Sequence, residues 1–429
     1  GPMPSRRQFM GGLAAWGALG PLPAAAQFRV EISGIGATQV PIAVANFRDE
    51  GKTGLSLAGV IRADLARSGL FRTSESSEAL DERSVINTAE WRGRGFDAVV
   101  GGSVTRLADG RLDVRYKLWD AVRGEQLLGQ SKLVLAADLR LAAHRVADEI
   151  YQAITGEPGV FATRIAYVVR NGRRHTLLVT DADGEGGQVA LASNEPIISP
   201  AWSHDGRELA YVSFELQKAV VWIQNVQTGE RRQLANFRGS NSAPAWSPDG
   251  RELVVTLSTA GIAQLFVMPR QGGTPRRLTT SNSIDTEATY SPDGRLVYFV
   301  SDRGGGPQIY RVPVGGGNPE RVTFDGAHNI SPAISRDGRL MAYVARQANG
   351  AFKLATMALD GSGGAPRLLS DTSDDESPSF APNGRLIVYT SREKGRDVLM
   401  TTTVDGKIKT RLVSSGADML EPAWGPFNK

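Results

Sequence analysis

From residue 200 onward the chain returns six times to one short phrase. The copies are Pro200-Ala201-Trp202, Pro244-Ala245-Trp246, Ala288-Thr289-Tyr290, Pro332-Ala333-Ile334, Pro378-Ser379-Phe380 and Pro422-Ala423-Trp424. The step is 44 residues each time except once, where it is 46. A period in the low forties with about four strand-like runs marks a β-propeller whose repeat is one four-stranded blade.

One period shows the blade. After Trp246 comes Ser247-Pro248-Asp249-Gly250, where proline presets one turn dihedral and glycine accepts positive φ, so the chain reverses. Runs 253–257, 264–268 and 276–279 then read as strands separated by glycine-containing turns. The turn recurs at Asp205-Gly206, Asp293-Gly294, Asp337-Gly338 and Asn383-Gly384. The final phrase, ending in Trp424, has no such turn after it, and the run Thr163–Val169 resembles a second strand with no phrase before it. Open rings leave sheet edges unpaired. The two segments are therefore expected to share one blade, closing a six-bladed ring over 160–429.

A different texture fills 39–157. Val40 to Phe47 reads as a strand and Leu55 to Leu70 as a helix with Leu55, Ala58, Gly59, Arg62, Leu65 and Ala66 on one stripe. A polar loop around Ser74 to Glu82 follows. Strands are expected at 96–107, 111–120 and 125–135, then a helix from Leu139 to Ile154 that stops at Gly156 and Pro158. This is a small α/β domain. The fold class is thus two domains, α/β followed by an all-β six-bladed propeller.

Ahead of it, Gly1-Pro2 reads as a cloning remnant and the stretch to Ala26 as an export signal. Arg6-Arg7 precedes a weakly apolar segment, and Ala24-Ala25-Ala26 offers a small-residue cleavage site. A twin-arginine signal and an ordinary secretory signal both fit. Both imply function outside the cytoplasm, and no later stretch reaches the ~20 apolar residues of a membrane span. With 429 residues and no cysteine, the chain has no disulfide, catalytic thiol or thiolate metal site. Its formal charge of +4 is spread without a basic run, which argues against nucleic acid as a partner.

Residues 27–38 read as a loosely tethered tail. Phe28, Val30 and Ile32 alternate with polar residues, so the tail could add as a strand to a partner's sheet or serve as the α/β domain's own first strand. The loops entering each inner strand are polar and vary between blades while the strands repeat. A scaffold of that kind either recognises something there or merely needs soluble turns. Asp285, Glu287, Asp374, Asp375, Glu376 and Glu421 fall on this rim. Oxygen clusters suit calcium, but the spacing is not that of a calcium loop. A solvated acidic rim with no cofactor is the simpler expectation, and channel calcium the minor one.

Export signal, tail, α/β domain, Gly/Pro linker and PAWSPDGR-type repeats together resemble the TolB family, the soluble periplasmic component of the Tol-Pal system. The resemblance covers essentially the whole chain. It implies a monomeric periplasmic scaffold, not an enzyme, that supports outer-membrane integrity and constriction at division. It implies the lipoprotein Pal as partner on the rim and TolA as partner of the tail residues Gln27, Phe28, Arg29, Val30, Glu31, Ile32, Ser33 and Gly34. It also admits bacteriocin translocation domains. On the rim, the family's His-Asn-Gly-Ala-Pro phrase corresponds to Ser240, Asn241, Ser242, Ala243 and Pro244, and its Asn-Thr-Glu phrase to Asp285, Thr286 and Glu287. His328, Asn329, Asp375, Glu376 and Glu421 complete the expected Pal face. Ser240 replaces the family's histidine, Ile334 breaks the aromatic series, and paired arginines are unusual in a family that carries ordinary secretory signals.

Propellers also host enzymes. A peptidase reading lacks a Gly-x-Ser-x-Gly elbow. The four histidines, His144, His175, His204 and His328, fall on unrelated elements. A hydrolase, a lactonase and a sugar- or peptide-binding channel remain the alternatives to the scaffold.

Overall fold

The computed structural model describes residues 39–428 except 77, 363 and 413–415. The expected export signal and the tail 27–38 lie outside the described residues. One unit ends at Ala162 and the other begins at Thr163.

The first unit is a five-stranded sheet ordered β2-β1-β3-β4-β5. Its strands are β1 (Val40–Val44), β2 (Phe71–Ser74), β3 (Ala98–Arg106), β4 (Leu112–Asp120) and β5 (Glu125–Val134). β1 pairs in parallel with β2 and β3, and β3, β4 and β5 form an antiparallel meander. Three helices accompany the sheet: α1 (Leu57–Arg67), α2 (Thr88–Gly93) and α3 (Leu139–Thr155). The buried face of α1 carries Leu57, Ala58, Ile61 and Leu65, whereas Ala66 is exposed. The expected stripe was phased from Leu55, which precedes the cap: Ser56 accepts the Gly59 N–H at 3.0 Å and starts the helix there. α1 and α3 supply Ile61, Leu65, Val146 and Ile150 to one core with Val100, Val114 and Leu118 of the sheet. Gly156, at φ 81°, ends α3 with a left-handed cap.

The second unit is a propeller of six four-stranded sheets. Blade 1 combines Asp418–Trp424 with Arg164–Asn171, Arg174–Asp181 and Gln188–Ser193. Blades 2 to 6 are consecutive meanders whose innermost strands are Ile197–Trp202, Asn241–Trp246, Asp285–Tyr290, Asn329–Ile334 and Glu376–Phe380. The ring is closed by the pairing of Leu420 with Val168 and of Trp424 with Ile165. Alternating apolar residues of facing sheets fill the spaces between blades. Val212, Val221, Leu253 and Val255, for example, pack between blades 2 and 3.

In blades 2 to 4 the repeated aromatic ties the blade to its neighbour. Trp202 Nε1 donates to the Ala423 carbonyl at 2.9 Å, and Trp246 Nε1 to the Ala201 carbonyl at 3.0 Å. Tyr290 uses its hydroxyl on Glu252 at 3.2 Å. Ile334 and Phe380 have no such donor, so their blades rely on packing alone at this point. The repeated turn is also fixed by its own side chains. Ser247 Oγ donates to Asp249 Oδ1 at 2.6 Å, which also accepts the Arg251 N–H at 3.0 Å. Gly250 sits at φ 74°, where a side chain would meet the His204 ring. Those hydrogen bonds hold the Asp249 carboxyl below the usual carboxylate range.

Candidate functional site

Strands run in alternate directions within a blade, so two sets of connections share each face. The face expected to bind carries the crossovers into the inner strands and the turns between second and third strands. The opposite face carries the Asp/Asn-Gly hairpins.

Each inner strand begins within the expected loop, and in blades 3 to 6 a polar side chain at or just before its start is a buried peg. Asn241, Asp285, Asn329 and Asp375 are all fully buried. Asn241 accepts the Phe237 N–H at 2.8 Å and donates to the Ala219 carbonyl at 3.0 Å. Asp285 receives Arg303 Nη2 on both oxygens at 3.0 Å and Ser281 Oγ at 3.0 Å. Asn329 donates to the Asp325 carbonyl and to Gln308 Oε1, each at 2.9 Å. Asp375 takes the Thr372 hydroxyl at 2.8 and 2.9 Å. These groups hold the crossovers in shape. Burial of a charge or amide is tolerable only with such partners.

Two residues further on, every inner strand turns left-handed. Ser199, Ala243, Glu287, Ser331, Ser377 and Glu421 have φ between 48° and 57°, one per blade at the same register. Each sits in a β-bulge, so that two residues oppose one: Ala243 and Pro244, for instance, lie between the pairs Ser242 with Thr256 and Ala245 with Val254. A non-glycine residue there costs about 1–2 kcal/mol, and its repetition around the bore makes the strain systematic. The ring is Ser, Ala, Glu, Ser, Ser, Glu. Its two acids, Glu287 and Glu421, belong to blades 4 and 1, which are diametrically opposed in a six-bladed ring.

These acids are not solvated. Glu287 is 9% exposed, and neither carboxylate oxygen has a hydrogen-bond partner among the described residues. Glu421 is buried and accepts Ser377 Oγ at 3.4 Å from the adjacent blade. Thr286 meets Thr256 hydroxyl to hydroxyl at 3.2 Å, and Glu376 and Ser242 are likewise buried. The solvated acidic rim expected from the sequence is therefore corrected for five of its six residues: Asp285, Glu287, Asp375, Glu376 and Glu421 are buried, and Asp374 is half-exposed. Among the described residues, the carboxylates of this face form no group of three with ligand oxygens within 4.8 Å of one another. Ser240 and His328 stay half-exposed. Burial, then the Arg346 guanidinium, holds the His328 imidazole below its ordinary pKa.

The sequence reading missed an apolar arc on the same face. Leu216 and Ile262 stand in the second-to-third-strand turns of blades 2 and 3, and Ile284 and Phe324 in the crossovers to blades 4 and 5. They are 47%, 41%, 47% and 71% exposed. Among the described residues of the propeller, only Val189 is a comparably exposed large apolar side chain elsewhere. The signal was there, since an apolar residue in a polar turn is out of place, but only topology puts the four together. Polar pegs, a strained ring and an exposed apolar arc suit recognition of a protein surface better than a reaction. The histidines do not converge: His144 is buried in the first unit, while His204 and His328 lie on opposite faces of the propeller.

Residues 28–127 match the TolB amino-terminal domain and residues 151–428 the TolB beta propeller domain. The crystal structure of TolB from Acinetobacter baumannii is similar at 38% identity with a TM-score of 0.85, covering 94% of this chain and 100% of that one. The Tol-Pal system protein TolB of Polaromonas naphthalenivorans (strain CJ2) is 58% identical over 56% of this chain and 56% of its own. That of Bordetella avium (strain 197N) is 51% identical over 55% of this chain and 52% of its own. These matches thus span only about half the length of the curated relatives.

Proposed function

Since the chain belongs to the TolB family, we propose that it serves the Tol-Pal system in the periplasm as a binding scaffold rather than an enzyme. Pal docks on the crossover face of the propeller, with Ser240, Glu287, His328, Glu376 and Glu421 around the bore and the apolar arc beside it. TolA takes the tail Gln27 to Gly34 as an added strand. The stretch after Gly1-Pro2 up to Ala26 serves as the export signal. The two contacts together support outer-membrane integrity and constriction at division, and bacteriocin translocation domains compete for the same face.

The observation that carries this reading is Glu287, a buried carboxylate without a hydrogen-bond partner, held in strained backbone on the face that also exposes the apolar arc. An unsatisfied buried charge is costly unless something arrives to use it. No helix among the described residues is long and apolar enough to cross a membrane. We assign the scaffold no resident cofactor, and heat on calorimetric titration with calcium would overturn that. The deciding experiment measures binding to purified Pal and purified TolA, with and without residues 27–36. Deletion should abolish TolA binding and spare Pal binding, and unchanged TolA affinity would refute the tail assignment.

A further inference from the structure

The hairpin face of the propeller, opposite the one just assigned, contains a cavity of about 1180 Å3. It is lined from blade 1 and blade 2 inward to the hairpin turns of blades 3 and 5, so it runs beneath the bore. Three guanidinium groups face it from three blades: Arg164, Arg207 and Arg336. The carboxylate on its wall, Asp205, is committed to its own turn, accepting Ser203 Oγ at 2.8 Å and the Arg207 N–H at 3.0 Å. Its other oxygen lies 3.9 Å from Arg207 Nε, so three guanidinium groups stand against one carboxylate and the lining keeps a net positive charge.

Two of the guanidinium groups are carried on aromatic rings. Arg164 lies 5.0 Å from the Trp202 ring centroid, and Arg336 lies 5.6 Å from that of Phe427. Arg164 also gives an Nη2 N–H to the Gly206 carbonyl at 3.0 Å, which fixes its plane; such seating orders an arginine while its remaining N–H groups can meet carboxylate. Between the charges stand the carboxamides of Gln188, Asn225 and Gln227. Asn225 uses its oxygen on the Gln227 and Thr228 N–H groups at 3.0 and 2.9 Å, which leaves its NH2 as a donor to the cavity. Carboxamides can both donate to and accept from a peptide backbone.

We propose that this basin docks an acidic peptide segment of a partner protein. Its volume lies just above the range of about 300–1,000 Å3 typical of small-ligand pockets, too roomy for a lone inorganic anion. Its charges come from separate blades, which fits carboxylates distributed along a chain. The site is independent of the Pal face.

The test titrates fluorescein-labelled hexaglutamate with the full chain and reads anisotropy. Saturable binding that weakens as salt rises is expected. The Arg207→Glu/Arg336→Glu double variant should weaken binding at least about tenfold. Both side chains are exposed on turns, so unchanged thermal unfolding should accompany the loss. Phe324→Ser, on the opposite face, should leave hexaglutamate binding unaltered. Equal affinity of wild type and double variant, equal binding of hexalysine, or displacement by stoichiometric inorganic pyrophosphate would each overturn the proposal.

Discussion

The Trp424 indole donates to the Thr163 hydroxyl at 2.7 Å, joining residues 261 positions apart. The Trp424 backbone N–H also donates to Ser379 Oγ at 2.9 Å, so one residue fastens blade 1 both to the start of the propeller and to blade 6. Trp424→Phe keeps most of the packing and removes the indole donor. It should lower the unfolding free energy by about 1–2 kcal/mol, read as a shifted denaturant midpoint. Deleting 418–428 should abolish the cooperative transition.

Glu287→Gln separates a partner-binding role from a structural one. Removing a buried charge that has no hydrogen-bond partner should leave stability level or raise it by about 1 kcal/mol. Pal affinity should nevertheless fall about tenfold, measured by calorimetry. A drop in stability with unchanged affinity would assign the residue to the fold.

The apolar arc makes a second, chemically different prediction about the same face. Phe324→Ser and Ile284→Ser should each cost about 1–3 kcal/mol of Pal binding, the range of an interface anchor. Val189→Ser, on the outer strand of blade 1, is the matched control and should have no effect on binding.

Asp148 gives the α/β unit a pH dependence of defined sign. Burial pushes its carboxyl up to about 7, with the Asp64 charge in the same direction. The Phe161 and Ala162 N–H groups at 2.7 and 3.1 Å, and His144, pull it the other way. A folded pKa above the unfolded value means the contribution is full below about pH 4 and shrinks as pH rises. It is lost above about 7. Relative to Asp148→Asn, the wild type should lose hydrogen-exchange protection in α3 between pH 5 and pH 8. A flat difference across that range would refute the assignment.

Blade number, closure and the hairpins were legible because each depends on local chemistry repeated at a fixed phase: proline and glycine in the turn, an aromatic before it. The strand Arg164–Asn171 could be matched to Asp418–Trp424 because an orphan edge needs a partner. That the loops entering the inner strands share one face was legible, but the state of their residues was not. Asn241, Asp285 and Asn329 look like solvated loop residues in sequence, and only the bulge, a one-residue change of register, shows that they turn inward. Strand β2 and helix α2 also escaped, being four and six residues long and too short to show a period. The phase of α1 failed through misplacing its start by two residues, enough to rotate the stripe.

The pairing of Asp418–Trp424 with Arg164–Asn171 also sets an order of events during biosynthesis. A ribosome delivers the inner strand of blade 1 about 250 residues after the strand it must cover, so a three-stranded sheet waits with one margin bare while five others assemble. Until the latch arrives, that margin can capture a strand from another nascent chain. A polypeptide built this way gains from staying unfolded, or chaperoned, until its synthesis is finished.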